Sequence, residues 1–190
     1  MKKLIFFALI FISTILRTHS QSSPVGLAAG EVAPLFTAKD QAGKSLSLKQ
    51  LLTNGPVVLI FYRGYWCPYC NTYLSKLQDS LLLLTSKGAS VVAVSPEIME
   101  NVDKTIKKTR STFAVISDEE MKIMKAYKVN FEVDKETVQR YKSYNIDFNK
   151  ENGTNGANLP IPATYIISKE GKIIYRFFES DYTKRPTVKS

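Results

Sequence analysis

Histidine and cysteine are almost missing from this chain: its 190 residues hold one histidine, two cysteines and one tryptophan. The histidine, His19, lies in an N-terminal stretch expected to be removed. Without it, Ser-His-Asp and Cys-His catalysis are excluded, together with imidazole metal ligands and a histidine pH switch. Zinc wants four ligands, usually thiolate or imidazole, and a single cysteine pair supplies half a site. No metal or other cofactor is therefore expected. The chemistry left is that of sulfur.

Both cysteines lie in Trp66-Cys67-Pro68-Tyr69-Cys70, just after the apolar run Val57-Val58-Leu59-Ile60-Phe61-Tyr62. That run does not alternate, as expected of a central strand buried on both faces. After Arg63-Gly64 the spacing changes. Cys70, Leu74, Leu77, Leu81 and Leu84 recur at steps of four and three, the stripe of a helix with one buried face. Cys70 points inward on that stripe, and Cys67 sits at the helix start, where free N–H groups and the dipole favour a thiolate. Thiols in such Cys-X-X-Cys settings have pKa values of roughly 3.5 to 7.5 instead of about 8.5. Cys67 is thus the expected nucleophile and Cys70 the partner that closes a disulfide with it. Pro68 suits the first helical turn, where its missing N–H is not needed. A purely structural disulfide is the competing reading, although so small a loop constrains an unfolded chain little.

Lys2-Lys3, thirteen mostly apolar residues from Leu4 to Leu16, and Thr18-His19-Ser20 before Gln21 read as a signal peptide over residues 1–20. The apolar stretch is too short for an ordinary membrane span; an uncleaved anchor is the alternative. Export, to a periplasmic or other extracytoplasmic space, fits a redox pair, since disulfides persist outside the cytosol. No stable membrane association is expected after cleavage. Residues 21–29 form a flexible lead-in, 30–185 one domain and 186–190 a tail. Removing Lys2, Lys3 and Arg17 lowers the formal charge from +9 to +6. Lys104, Lys107, Lys108 and Arg110 read as the solvated face of a helix, and no nucleic-acid-binding motif accompanies them.

Along the rest of the chain, short strands are expected at Leu35 to Lys39 and Lys44 to Leu48, then at Ala89 to Ser95, Phe113 to Ser117, Ala163 to Ser168 and Lys172 to Phe178. Helices are expected from the cysteines to about Lys87, at Glu97 to Arg110, from Asp118 to about Lys128, and at Lys135 to Tyr144. Asn149 to Leu159 reads as a polar loop. Strands alternating with helices give an α/β fold, a mixed sheet covered on both faces.

Trp-Cys-X-X-Cys after a buried strand, with Leu159-Pro160-Ile161-Pro162-Ala163-Thr164-Tyr165 opening a later one, resembles the thioredoxin fold. That resemblance implies that Pro162 is a cis-proline facing the cysteines. Gly30 to Phe36, Gly43-Lys44, Phe61 to Cys70, Val94-Ser95-Pro96, Ile116-Ser117-Asp118 and Asp181 to Arg185 together resemble the peroxiredoxin-like proteins of the alkyl hydroperoxide reductase and thiol-specific antioxidant superfamily. The resemblance covers roughly residues 30 to 185. It implies an exported thiol peroxidase that reduces hydrogen peroxide or organic hydroperoxides through a Cys67-Cys70 disulfide, reset by thioredoxin or a similar dithiol donor. Peroxiredoxins usually carry a hydroxyl three residues before the reactive cysteine and a proline seven before it; here those positions hold Gly64 and Ile60. Arg63 is the nearest replacement cation, or else an arginine fixing a turn. A thiol-disulfide oxidoreductase acting on proteins is the alternative that Trp66, Pro162 and the missing hydroxyl favour.

Overall fold

The computed structural model describes residues 23–187, so the signal-peptide expectation lies outside the described residues. The central strand β3 (Val57–Phe61) is buried at every position, as its unbroken apolar run requires. It pairs in parallel with β4 (Ser90–Ser95), which pairs in parallel with β5 (Ala114–Ser117). On its other side β3 pairs antiparallel with β8 (Ala163–Ile167), and β8 with β9 (Ile173–Phe178). The sheet order is thus β5-β4-β3-β8-β9.

Because side chains alternate along a strand, β3 and β4 feed two separate cores. Leu59, Phe61, Val92 and Val94 pack against α1 (Leu48–Asn54) and α5 (Lys122–Ala126). Val58, Ile60, Tyr62 and Ala93 face α2 (Pro68–Asp79) and α4 (Met99–Thr109) through Cys70, Leu74, Leu77 and Val102. Helices therefore cover both faces of a mixed sheet, the α/β thioredoxin-like architecture.

Several expected boundaries shift. The strand at Lys44 to Leu48 shrinks to β2 (Ser45–Ser47), paired with β1 (Thr37–Lys39), and its last residue opens α1 instead. The cysteine helix breaks at Ser80, whose N–H is shared between the carbonyls of Lys76 and Leu77, before the short α3 (Leu81–Thr85). The helix expected after Asp118 begins as a 3₁₀ turn, and both Asp118 carboxylate oxygens accept N–H groups at the start of α5.

The segment read as a polar loop is the largest correction. It contains α7 (Phe148–Asn152), a 3₁₀ turn and β7 (Asn158–Pro160), which pairs with β6 (Asn130–Glu132). With α6 (Lys135–Ser143), these elements gather a third small core of Val133, Phe148 and Leu159. Its asparagines are structural: Asn152 is buried and donates to the carbonyls of Gly156 and Asn158, while Asn155 donates to those of Pro96 and Asp118. Pro162 departs from expectation as well. Among the described residues there is no cis peptide bond, so the Ile161–Pro162 bond is trans. The Ile161 N–H bonds the carbonyl of Val129 at 2.8 Å, which carries the β6–β7 pairing one step further before β8 begins.

Candidate active site

Residues 63–67 lead from β3 into α2, and Cys67 is the N-cap, its sulfur accepting the N–H of Cys70 at 3.3 Å. Pro68 takes the first helical position, as expected. Both thiols are free and the two Sγ atoms stand 2.7 Å apart. Cys70 is fully buried and Cys67 is 1% exposed, yet Cys67 lines a cleft of about 640 Å³ together with Arg63, Trp66, Arg140, Tyr141 and Pro162. Pro162, with a trans peptide bond, thus lines the same cleft as Cys67.

Arg63 is not a surface residue fixing a turn. It is buried, its guanidinium lying over the rings of Tyr182 at 4.2 Å, Trp66 at 5.1 Å and Tyr141 at 5.3 Å. One nitrogen donates to the Tyr141 hydroxyl at 2.5 Å, while Nε and Nη1 have no protein partner. Among the described residues it forms no ion pair with a carboxylate, and it shares the lining of the cleft with Cys67. The buried Trp66 Nε1–H is likewise unpartnered. The Trp66 ring is held edge-on by Tyr141 and Phe148, at 5.4 and 5.7 Å.

Two further side chains complete the site, Glu97, which the sequence did not single out, and Arg185, which it placed in a family-like motif without a role at the cysteines. Glu97, just beyond β4, is fully buried beneath the loop, accepting the Tyr65 N–H at 2.6 Å and the Ser95 hydroxyl at 3.1 Å. Burial pushes its carboxyl up to about 8. Arg185 reaches in from residues 179–187, the strap that follows β9, and donates from Nη2 to Cys70 Sγ at 3.2 Å.

These charges decide how the thiols ionise. Burial opposes a charge on Cys70, but the hydrogen bond from the Cys67 thiol, the Arg185 guanidinium and Arg63 outweigh it and bring Cys70 down to about 6. The same sulfur–sulfur hydrogen bond, joined by burial, pushes Cys67 well above the usual thiol range. The pair thus loses its first proton easily and its second with difficulty. The Arg185 guanidinium on Cys70 Sγ adds positive charge next to the buried member of the pair, while the N–H of Cys70 supports Cys67.

Residues 29–176 match the AhpC/TSA family. The chain belongs to that family. A chloroplastic peroxiredoxin Q of Triticum aestivum is 32% identical over 146 residues, 77% of this chain and 57% of that protein. Peroxiredoxin Bcp of Escherichia coli is 29% identical over 104 residues, 54% of this chain and 65% of that protein. The chain spans about half the length of the curated relatives it matches. Among solved structures, peroxidoxin BcpB of Mycobacterium tuberculosis superposes with a TM-score of 0.64 at 22% identity, covering 80% of this chain and 86% of that one. The thioredoxin domain of a thiol-disulfide oxidoreductase from Bacteroides vulgatus does so with a TM-score of 0.56 at 21% identity, covering 83% and 94%.

Within the AhpC/TSA family frame, Gly64 acquires a reason. A Cβ at this position would lie 2.5 Å from Trp66 Nε1 and 2.8 Å from Glu97 Oε1. The space a hydroxyl-bearing side chain would need is filled by an indole and a carboxyl. No sequence pattern announces this, because Glu97 reads as an ordinary polar residue after a strand.

Proposed function

We propose that this chain is an exported thiol peroxidase that reduces hydrogen peroxide or an organic hydroperoxide through Cys67 and Cys70 and is reset by a thioredoxin-like dithiol donor. The observation that carries this reading is the thiol of Cys67 at the cleft, 2.7 Å from a second thiol and beside a buried arginine with open donors. A proton moving across the sulfur–sulfur hydrogen bond puts the charge on Cys67, where the Cys70 N–H and Arg63 support it. The Cys67 thiolate attacks one peroxide oxygen, the O–O bond breaks, and the leaving alkoxide or hydroxide takes up the proton that Cys70 received, which returns Cys70 to the thiolate. Cys67 is then a sulfenic acid. Cys70, as thiolate, attacks the Cys67 sulfur; the S–O bond breaks and hydroxide leaves as water. The pair has given two electrons to the peroxide, and an external dithiol returns two.

The second reading, disulfide exchange with protein partners, is favoured by Gly64, since no side-chain hydroxyl stands there to orient a peroxide. One experiment separates the two. Reduced protein is mixed with hydrogen peroxide or an alkyl hydroperoxide in a stopped-flow instrument, following Trp66 fluorescence and loss of free thiol. The peroxidase reading expects both signals to move together at a rate orders of magnitude above that of a free thiolate, and Cys67→Ser to abolish turnover. A rate no better than a small thiol would shift the assignment to disulfide exchange, tested by trapping a mixed disulfide with Cys70→Ser. Export rests on the basic and apolar N-terminal leader; a mature N-terminus at Gln21 in secreted or envelope fractions is its expected outcome.

A further inference from the structure

The strap is folded around its own arginine. The N–H of Glu179 bonds the carbonyl of Pro162 at 3.2 Å, and Asp181 accepts from the N–H and hydroxyl of Thr183. Arg185 Nη1 is tied to the carbonyls of Tyr182 and Lys184, both at 2.6 Å, leaving Nη2 aimed at Cys70 Sγ. Tyr182 stacks on Arg63 and meets Tyr69 edge-on at 5.8 Å. The strap thus borders the cysteine pair on two sides: Ser180 and Tyr182 line the cleft beside Cys67, and Arg185 reaches Cys70 from a second, open cavity.

We propose that Arg185 is a functional residue of the thiol pair: it holds the charge of the reduced pair on Cys70, and oxidation, by removing that charge, releases residues 179–187 from the site. The inference rests on the reading that the pair cycles between dithiol and disulfide, but not on peroxide being the oxidant. In the dithiol state a guanidinium meets a thiolate across 3.2 Å in a water-poor setting, where such a contact is strong. In the disulfide state both sulfurs are neutral, and the contact becomes a cation beside an uncharged, weak acceptor. The other groups facing Cys70 give the strap no replacement anchor. Arg63 is a second cation, while Glu97 and the Tyr62 phenol are pushed up by burial and stay protonated at neutral pH. Tyr73, also beside Arg185, has its phenol raised in the same way. Arg185 serves the chemistry directly as well: once Cys67 is a sulfenic acid and Cys70 has given its proton to the leaving oxygen, the guanidinium favours the Cys70 thiolate, the nucleophile that closes the disulfide. Release of the strap then exposes the disulfide on the side away from the cleft, where a dithiol protein can approach.

The test uses the whole chain and needs no peroxide. Thiolate absorbance at 240 nm is titrated in wild type, Arg185→Met and Arg185→Lys, and hydrogen exchange of a peptide covering 179–187 is compared between the dithiol form and the disulfide formed with diamide. The first ionisation is expected to rise by about one pH unit or more in Arg185→Met and to return part of the way in Arg185→Lys. Exchange in the strap is expected to speed up on oxidation of wild type, and in Arg185→Met to be fast in both redox forms. An unchanged ionisation midpoint in a folded Arg185→Met would overturn the role of Arg185, and equal strap exchange in the two redox forms of wild type would overturn the release. The wild-type comparison stands even if the variants fold poorly, and since diamide is the oxidant, a failed peroxidase assay leaves it readable.

Discussion

Gly64 is where this site is least forgiving. Its missing Cβ leaves room for the carboxyl of Glu97 on one side and the indole of Trp66 on the other, and both neighbours are fixed: Glu97 by the Tyr65 N–H and Ser95, Trp66 by the rings of Tyr141 and Phe148. Gly64→Ala is expected to destabilise the protein by about 1–3 kcal/mol, the range for overpacking a site that cannot yield, read as a lower midpoint in chemical denaturation. The same variant is expected to shift the emission of Trp66, the only tryptophan, because the indole must move to admit the methyl group. Arg63 shows a different kind of constraint. The sequence singled it out as a cation near the cysteines, and the structure buries it among three aromatic rings, whose faces meet the guanidinium where no carboxylate does.

At the scale of elements, the wall of the cleft is separable from the sheet beneath it. Strands β6 and β7 and helices α6 and α7 carry their own small core, with Phe148 at its centre and the Trp66 ring against its edge. Phe148→Ala removes one of the few large side chains there, and truncating a buried phenyl ring to a methyl group costs about 3–5 kcal/mol. The loss is expected to appear locally first: amides of β6, α6 and α7 should exchange faster while those of β3, β4 and α2 stay protected, which hydrogen exchange with mass spectrometry resolves by peptide. The elements that the sequence disclosed and those it hid differ in just this way. A five-residue strand buried on both faces and a twelve-residue helix with a continuous apolar stripe leave strong local patterns. Three-residue strands such as β6 and β7 are too short for alternation to show, and Asn152 and Asn155 read as loop residues although they are buried and bonded to backbone carbonyls.

For the molecule as a whole, Glu97 ties stability to pH. Its carboxyl titrates at about 8 in the fold against about 4.3 in an unfolded chain, so between those values the native state binds a proton that the unfolded state has lost. Its contribution is fully present below the unfolded value and disappears as pH rises through about 8. At about 1.4 kcal/mol per pH unit, the loss is on the order of 5 kcal/mol at most. Glu97→Gln stays neutral throughout, so wild type is expected to lose stability relative to that variant between about pH 5 and 8, measured by denaturant unfolding of the reduced proteins. The lowered Cys70 acts in the opposite direction over part of this range, which is why the comparison with Glu97→Gln carries the result and the wild-type curve alone does not. Glu97 was not legible as part of the site, and Arg185, although it ends a motif shared with the family, gave no sign of its contact with Cys70. A charged residue in a loop is normally solvated, and only the tertiary arrangement shows one sealed under a turn and the other aimed at a sulfur. Cys67, Cys70, Trp66 and Pro68, by contrast, were placed by local rules that need no knowledge of distant contacts.

The occupation of one small volume by Gly64, Glu97 and Trp66 also constrains how such a chain can change. A threonine cannot simply be introduced at position 64, because the carboxyl and the indole already stand where its side chain would go. Shortening Glu97 would relieve only one of the two contacts, since Trp66 Nε1 would still lie 2.5 Å from the new Cβ, and it would leave the Tyr65 N–H without its acceptor. Either single step is therefore unfavourable, so exchange between this arrangement and one bearing a hydroxyl requires correlated substitutions, and residues 64, 66 and 97 should vary together or not at all among descendants of this sequence.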